Sequence, residues 1–254
     1  MIRFCTPQKE EAEEIKEQVK SINEQLSLNE VKEAEYAEKI REIIKRLKEI
    51  YEIRTFLDED PYKVLVRTIL SQRTRDENTD QATNALFEVF PDIYAVADAP
   101  TEEVQKLIKP AGFYRVKAGR IQEVSQILID QYGGEVPNDM DELLKLPGVG
   151  RKTANLMLGD VFRVPGSVVV DTHCIRLSNR IGLVDGLKEP EKIERILRKE
   201  LPPENSSQFC HCLVLHGRAV CDARKPVCEA CCIRDLCEYG CHLTTHTQEQ
   251  KEDE

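Results

Sequence analysis

The chain has 254 residues, of which 46 are acidic and 36 are Lys or Arg, so its formal net charge is −10. This acidic balance, averaged over the whole chain, disfavours nucleic acid as a partner. A content of 41% hydrophobic and 32% charged residues is typical of a globular protein and excludes collagen-like, low-complexity and fully disordered classes. No apolar run approaches the roughly 20 residues of a membrane span, and the N-terminal residues are acidic where a signal peptide is apolar. We therefore expect a cytoplasmic protein of one or two domains with no membrane partner.

Apolar spacing and capping residues predict an all-α protein without internal repeats. Residues 1 to about 52 place apolar side chains at helical spacing, most clearly at Ile40, Ile43, Ile44, Leu47 and Ile50, and predict one or two amphipathic helices. Asp60 and Pro61 predict the next helix start, because Asp caps a helix and Pro fits its first turn. Further helices are predicted over residues 76–90, 100–110, 115–131, 139–146, 152–160 and 172–181. Only residues 167–170 resemble a strand, and they predict a buried extended connector.

One turn between two predicted helices has the sequence LPGVGRKTA, at residues 146–154. Glycine lacks a Cβ, so backbone N–H groups can approach a phosphate, and the following helix N-terminus adds the positive end of its dipole. The segment therefore predicts a helix–hairpin–helix that grips a DNA backbone, although such a turn can also be purely structural. The residues predicted to contact DNA here are Pro147, Gly148, Val149, Gly150 and Arg151.

Lys152 and Asp171 form a candidate catalytic pair. Lys152 lies in the first turn of a predicted helix, where the dipole disfavours a positive charge and so favours the neutral amine that a nucleophile needs. Asp171 follows the apolar run at 168–170 and precedes a predicted helix, so it can be an N-cap, a catalytic carboxylate or both.

Eight of the ten cysteines lie between Cys210 and Cys241. Thiols crowded into one short segment indicate a metal or cluster site more readily than disulfides. Four of them have the spacing C-x6-C-x2-C-x5-C and can surround one tetrahedral ion, such as zinc, or the corners of a cubane cluster. These four are Cys221, Cys228, Cys231 and Cys237. Cys232 is adjacent to Cys231 but does not preserve the spacing.

The motifs LPGVGRKTA, VVVDTH and the four-cysteine spacing, in this order, resemble the endonuclease III branch of the helix–hairpin–helix DNA glycosylases. The resemblance extends from about Asp60, through ILSQ at 69–72 and AGFYR at 111–115, to Cys237. It implies an all-α fold in which two helical domains flank a DNA-binding cleft. It also implies one [4Fe-4S] cluster per chain, held by the four cysteines in a C-terminal loop.

By this resemblance Lys152 is the family's lysine nucleophile and Asp171 its essential aspartate. A flipped nucleotide leaves a void in the duplex that side chains fill. The resemblance assigns this role to the loop at Gln72 and Arg73 and to Phe113. Which of Gln72 and Arg73 fills the void stays open, because family members often carry Gln at the position of Arg73.

The loop between the first two cluster cysteines carries two cations, Arg224 and Lys225. In the family this loop is basic, so the resemblance implies that both side chains meet DNA phosphates.

The implied activity is base excision repair by a DNA N-glycosylase with AP lyase activity. It removes oxidised pyrimidines from duplex DNA and cleaves the strand by β-elimination through a lysine Schiff base. The alternative is a mismatch-specific thymine or uracil glycosylase of the same superfamily. A non-catalytic cluster protein and a zinc-stabilised binding module are less expected. The implied partner is duplex DNA that contains damaged bases or abasic sites, bound by a monomer.

The resemblance also divides the chain into domains. A charged helical extension covers 1–38, a six-helix domain with the hairpin covers 53–164, and an acidic flexible tail covers 241–254. The cluster domain combines 39–52 with 165–240. Residues 1–40 carry a net charge of −4 and residues 241–254 carry −3, whereas residues 145–180 contain six basic and two acidic residues. We therefore expect a basic face at the DNA cleft and an acidic back.

Overall fold

The structure is a computed structural model that describes residues 9–53, 56 and 59–241. These residues contain eleven α-helices and no strand, which confirms the predicted all-α class. The helices are α1 (Lys9–Ile50), α2 (Pro61–Ser71), α3 (Asp76–Val89), α4 (Ile93–Asp98), α5 (Thr101–Leu107), α6 (Tyr114–Tyr132), α7 (Met140–Lys145), α8 (Arg151–Leu156), α9 (Thr172–Ile181), α10 (Pro190–Glu200) and α11 (Ser206–Ala219). In this part of the chain, no helix is long and apolar enough to cross a bilayer.

Two predicted elements differ in detail from the structure. The N-terminal pattern forms a single helix, in which Leu47 is buried but Ile50 is exposed. The helix predicted over 152–160 begins as α8 and continues as a π-helix from Met157 to Val161. Such π turns are often found at functional sites. The segment 167–170 is buried and has no regular secondary structure, as predicted for a connector.

The chain divides into two compact units between Lys45 and Arg46. In the second unit one continuous apolar core extends from Phe56 to Leu158, and further buried apolar side chains lie between Val168 and Cys237. The predicted domain boundaries at 53–164 and 165–240 stay a prediction. The predicted flexible tail lies almost entirely outside the described residues.

In the described residues, aspartate side chains cap the starts of four helices, α2, α4, α7 and α9. The carboxylate of Asp60 accepts from the N–H of Tyr62, and that of Asp139 accepts from the N–H groups of Asp141 and Glu142. Each cap satisfies N–H groups that a helix start leaves without partners. The Asp139 cap starts α7 and thereby positions the hairpin that follows it.

Candidate functional site

The predicted hairpin joins α7 to α8, and these two helices pack against each other. Gly148 has a φ of +81°, and a Cβ at this position would lie 3.0 Å from Cδ of Arg120. Val149 is buried and anchors the turn through its N–H, which donates to the carbonyl of Leu146 at 3.0 Å. Gly150 is the exposed N-cap of α8 and supplies no side-chain acceptor. The first N–H groups of α8 therefore have no side-chain cap, as is common at helix starts that bind anions.

Lys152 lies in that first turn and its side chain is exposed. It lines an open depression, together with Gly150 of the hairpin, Val170 of the buried connector and residues 188–192, 194 and 195 around the start of α10. The structure therefore places Lys152 on an accessible surface beside the hairpin turn.

Asp171 directly follows Val170 and is the N-cap of α9. Its Oδ1 accepts from the N–H of Cys174 at 2.8 Å, so the predicted capping role is confirmed. His173 and His211 each lie within electrostatic range of both members of the predicted catalytic pair. Burial is the largest effect on His173 and lowers its pKa; the Asp171 carboxylate opposes this lowering and the Lys152 ammonium adds to it. The same two charges act in the same opposed directions on the pKa of His211. Val170, the residue before Asp171, lines the same depression as Lys152.

Arg151 is held in an ion pair that the sequence does not indicate. Its Nε and Nη2 donate to the two carboxylate oxygens of Glu194 on α10, at 2.8 and 2.5 Å. Arg198 adds a second ion pair to the same carboxylate at 3.1 Å. Although burial opposes ionisation, these arginines lower the pKa of Glu194. The guanidinium of Arg151 is therefore engaged within the protein.

We expect Glu194→Ala to destabilise the fold by about 2 kcal/mol. The change leaves two arginines side by side without their shared carboxylate, and partial exposure of both arginines reduces the full cost of breaking a buried ion pair. Urea unfolding followed by circular dichroism measures this loss. Glu189→Ala is the matched control, since Glu189 pairs with Lys192 in full solvent. Equal stability of the two variants would contradict the prediction.

A second buried network, not found by sequence reasoning, lies at the π-helix. Nε2 of His211 is 2.7 Å from Oδ2 of Asp160, and Ser207 donates its hydroxyl to the other carboxylate oxygen. Although burial disfavours charge on His211, the hydrogen bond to the Asp160 carboxylate raises the pKa of this histidine above its usual 6.5. Residues 207 and 211 are one turn apart on α11, but no sequence pattern connects them to Asp160.

This raised pKa predicts the pH dependence of stability. The folded protein binds the His211 proton more tightly than the unfolded chain does. The stabilisation by the Asp160 pair is therefore complete below the unfolded pKa of about 6.5 and is lost as pH rises through the higher folded pKa. We expect Asp160→Asn to lower the free energy of unfolding more at about pH 5.5 than at about pH 8.5. An equal loss at both values would contradict this linkage.

The two loops predicted to fill the void in the duplex contain residues with a strained backbone and exposed side chains. Arg73 has a φ of +55° and Phe113 a φ of +46°, a region that residues other than glycine rarely adopt. Phe113 is 64% exposed, which is unusual for a large apolar side chain. Gln72 instead donates its side-chain amide to the carbonyl of Gly148 at 2.9 Å. Within the described residues Arg73 is exposed and makes no hydrogen bond or ion pair.

The four cysteines with the conspicuous spacing line one cavity near the C-terminal loop. Cys221, Cys228, Cys231 and Cys237 all contribute to its wall, whereas Cys232 does not. Within the described part of the chain, no three His, Cys, Asp or Glu side chains gather closely enough to hold a single ion. The arrangement thus offers four thiols around a shared space.

Polar groups contact two of the sulfurs in this cavity, as they do around metal-bound thiolates. Burial raises the pKa of the Cys231 thiol to about 11, so thiolate ligation there requires that metal binding displace the thiol proton. Two sulfurs have nitrogen partners. Nη1 of Arg180 lies 3.2 Å from Sγ of Cys221, and Nε2 of His216 lies 3.3 Å from Sγ of Cys231. The hydroxyl of Tyr51 lies 2.9 Å from Nδ1 of His216, and this hydrogen bond fixes the orientation of the imidazole ring.

The loop that carries Arg224 and Lys225 is held by its backbone. Asp222 accepts from the N–H groups of both residues, and Arg180 donates to the carbonyls of Asp222 and Ala223. Both cationic side chains are exposed. The structure thus presents two exposed positive charges on a turn whose backbone is held by hydrogen bonds.

Comparison with known proteins identifies relatives of the chain. Residues 66–203 match the family described as HhH-GPD superfamily base excision DNA repair protein. Endonuclease III from Thermotoga maritima is 46% identical over 199 residues, which cover 78% of this chain and 90% of that protein.

Solved structures give the same family. A trapped endonuclease III–DNA covalent intermediate with an estranged adenine matches with a TM-score of 0.74 and 35% identity, and covers 82% of this chain and 98% of its own. A thermostable thymine-DNA glycosylase shares the fold, with a TM-score of 0.71 and 24% identity over 84% of this chain and 98% of that one. The chain therefore belongs to the HhH-GPD superfamily of base excision DNA repair proteins, and within it to the DNA glycosylase/lyases of the endonuclease III type.

Proposed function

We propose that the protein removes oxidised pyrimidines from duplex DNA and cleaves the strand at the resulting abasic site. One observation carries this proposal: Lys152 is exposed at the start of the helix after the hairpin, in a depression that Val170, the residue before Asp171, also lines. A solved relative was trapped as a covalent intermediate with DNA, which is the species that an amine nucleophile forms.

In the proposed mechanism Nζ of Lys152 attacks C1′ of a flipped nucleotide. The C1′–N bond breaks, and the base leaves with the electron pair and is protonated. The amine loses one proton, the C1′–O4′ bond of the sugar ring breaks as O4′ is protonated, and a protonated Schiff base forms between Nζ and C1′. Loss of a proton from C2′ then expels the 3′ phosphate by β-elimination. Asp171 stabilises the positive charge that develops on the sugar and assists the lysine. A fixed carboxylate suits this role, because its hydrogen bond to the N–H of Cys174 orients it before DNA binds.

The other predicted site residues bind the duplex in this proposal. The hairpin from Pro147 to Gly150, with the uncapped N–H groups at the start of α8, grips one phosphate backbone without reading sequence. Arg224 and Lys225 meet phosphates at a second place. Arg73 and Phe113 enter the void left by the flipped nucleotide, since both side chains are exposed and Gln72 is engaged with the hairpin.

The four cysteines at 221, 228, 231 and 237 would hold one [4Fe-4S] cluster. When bound, this group supplies a rigid core for the C-terminal loop. We propose that the chain acts as a monomer with one helical domain at 53–164 and a second that combines 39–52 with 165–240. Four thiols around one cavity support this assignment, as do the hydrogen bond from Arg180 to Cys221 and the contact between His216 and Cys231.

Metal analysis tests the cluster, with a control that the chain itself offers. Anaerobically purified protein is expected to contain about four irons per chain and a broad visible absorbance. Cys231→Ala should lose iron, whereas Cys232→Ala should keep it, because Cys232 lies outside the cavity wall. One zinc and no iron per chain would contradict the cluster, and equal iron loss from both variants would contradict the ligand assignment.

A panel of duplexes tests the substrate class. Excision rates are measured on thymine glycol, 5-hydroxycytosine and a G·T mismatch in one sequence context. We expect activity on the two oxidised pyrimidines and little on G·T. Activity confined to G·T would contradict the proposal in favour of a mismatch glycosylase. Binding without excision of any base would indicate a non-catalytic DNA-binding protein.

A further inference from the structure

Lys117 on α6 is a buried lysine that, within the described residues, has four acceptors and no carboxylate partner. Its side chain is embedded in the protein, and the residue is only 4% exposed. Nζ lies 2.7 to 2.8 Å from the carbonyl oxygens of Leu70, Gln72 and Ala111 and from the hydroxyl of Thr74, so its three N–H groups are shared among four acceptors. Burial lowers the pKa of this lysine to about 8, so the charged ammonium is disfavoured by its surroundings. An apolar side chain could pack at this position without that free-energy cost.

The acceptors lie on two segments that are distant in sequence. Gln72 and Thr74 flank Arg73 directly in the loop after α2. Ala111 is two residues before Phe113, in the turn that leads into α6. The hydroxyl of Thr74 also donates to the carbonyl of Ala111, so the two segments are joined twice at the same point.

Arg73 and Phe113 are both in left-handed backbone conformations. Such strain persists only where surrounding contacts determine the backbone on both sides. For Arg73, one ammonium binds the residue before it and the residue after it. For Phe113, the same ammonium binds the carbonyl that ends the preceding 3-10 turn, Lys109–Ala111.

We propose that Lys117 is a positioning residue for base flipping, which holds Arg73 and Phe113 together as one preformed wedge. This inference rests on the proposed void-filling role of those two side chains. Lys117 itself is buried beneath the loops and does not touch DNA. An ammonium suits the role because it donates in three directions to carbonyls that no apolar side chain could satisfy.

Lys117→Met tests the inference on duplex and single-stranded substrates. We expect kcat/KM for lesion excision from duplex DNA to fall about 10- to 100-fold, since misplaced groups lose the aligned geometry. Fluorescence of a 2-aminopurine opposite or beside the lesion should report less unstacking. Cleavage of an abasic site in single-stranded DNA should change less than about twofold, because a single strand has no void to fill. An equal loss on both substrates would overturn the proposal.

Thr74→Val is the milder second variant, which keeps the test valid if Lys117→Met does not fold. It removes one acceptor and the link to Ala111 while it preserves side-chain volume. We expect the same selective loss on duplex DNA, smaller in size. Unchanged duplex activity together with an unchanged fluorescence signal would count against the proposal.

A mutant cycle separates this inference from the function on which it rests. Arg73→Ala/Phe113→Ala should itself lower duplex excision, and adding Lys117→Met to it should cause little further loss. If the double variant retains full duplex activity, the void-filling assignment fails. If it loses activity but Lys117→Met lowers it further by its full factor, only the positioning role of Lys117 fails.

Discussion

Lys152→Ala is expected to abolish strand cleavage and the covalent adduct that borohydride traps between protein and lesion-containing DNA. The adduct requires a primary amine at the sugar C1′, and Lys152 is an exposed amine beside the hairpin turn. Removal of a nucleophile that forms a covalent intermediate lowers the rate by about 1,000-fold or more. The measurement is a denaturing gel of the trapped complex and of the cleaved strand.

Lys192→Ala is the matched control for this experiment. Lys192 lines the same open depression as Lys152, but it lies on α10 and pairs with Glu189 at 3.0 Å. We expect this variant to form the adduct at the wild-type level, since it leaves the amine at position 152 unchanged. An undiminished adduct with Lys152→Ala would refute the nucleophile assignment. Loss of the adduct in Lys192→Ala alone would indicate that Lys192, on α10, is the nucleophile.

Asp171→Asn should lower base excision by about 100- to 1,000-fold without loss of stability. The amide oxygen of Asn can still accept from the N–H of Cys174, so the cap of α9 is preserved. What disappears is the negative charge that stabilises the developing positive charge on the sugar. Single-turnover excision rates and thermal unfolding, measured on the same preparation, separate the two effects.

Asp171→Ala provides the contrast, because it removes both the charge and the cap. We expect it to lose activity to a similar extent and to lose about 1 kcal/mol of stability in addition. If Asp171→Asn keeps wild-type activity, Asp171 is a cap and not a catalytic carboxylate. If both variants lose the same amount of stability, the separation of the two roles fails.

The fold class and most helix starts could be predicted from the sequence because they depend on local chemistry. Asp60 and Asp171 cap helices through their own side chains, and the N-cap of a helix needs only the residues that follow it. The exposure of Ile50 and the π turn at Met157–Val161 could not be predicted in this way. Both depend on which neighbouring elements pack against a helix, and apolar spacing alone does not record that.

The candidate site could likewise be predicted only in part from the sequence. Lys152, Asp171 and the four cysteines stand in short motifs, so their presence can be recognised in the sequence. The pairing of Arg151 with Glu194 could not, since 43 residues separate them and only the packing of α8 beside α10 joins them. The choice between Gln72 and Arg73 also depends on a distant contact, the hydrogen bond from Gln72 to the carbonyl of Gly148.

The sequence by itself determined the net charge of −10, but not which of the charged side chains are free to act. Composition, caps and motif order, which need no partner from elsewhere in the chain, determined an all-α protein with a hairpin, a candidate lysine–aspartate pair and a cysteine loop. The tertiary structure decided which charges are free to act. Arg151 is engaged, Arg73 is exposed, and Lys117 is buried beneath two loops, because hydrogen bonds and ion pairs form between side chains that only folding brings together.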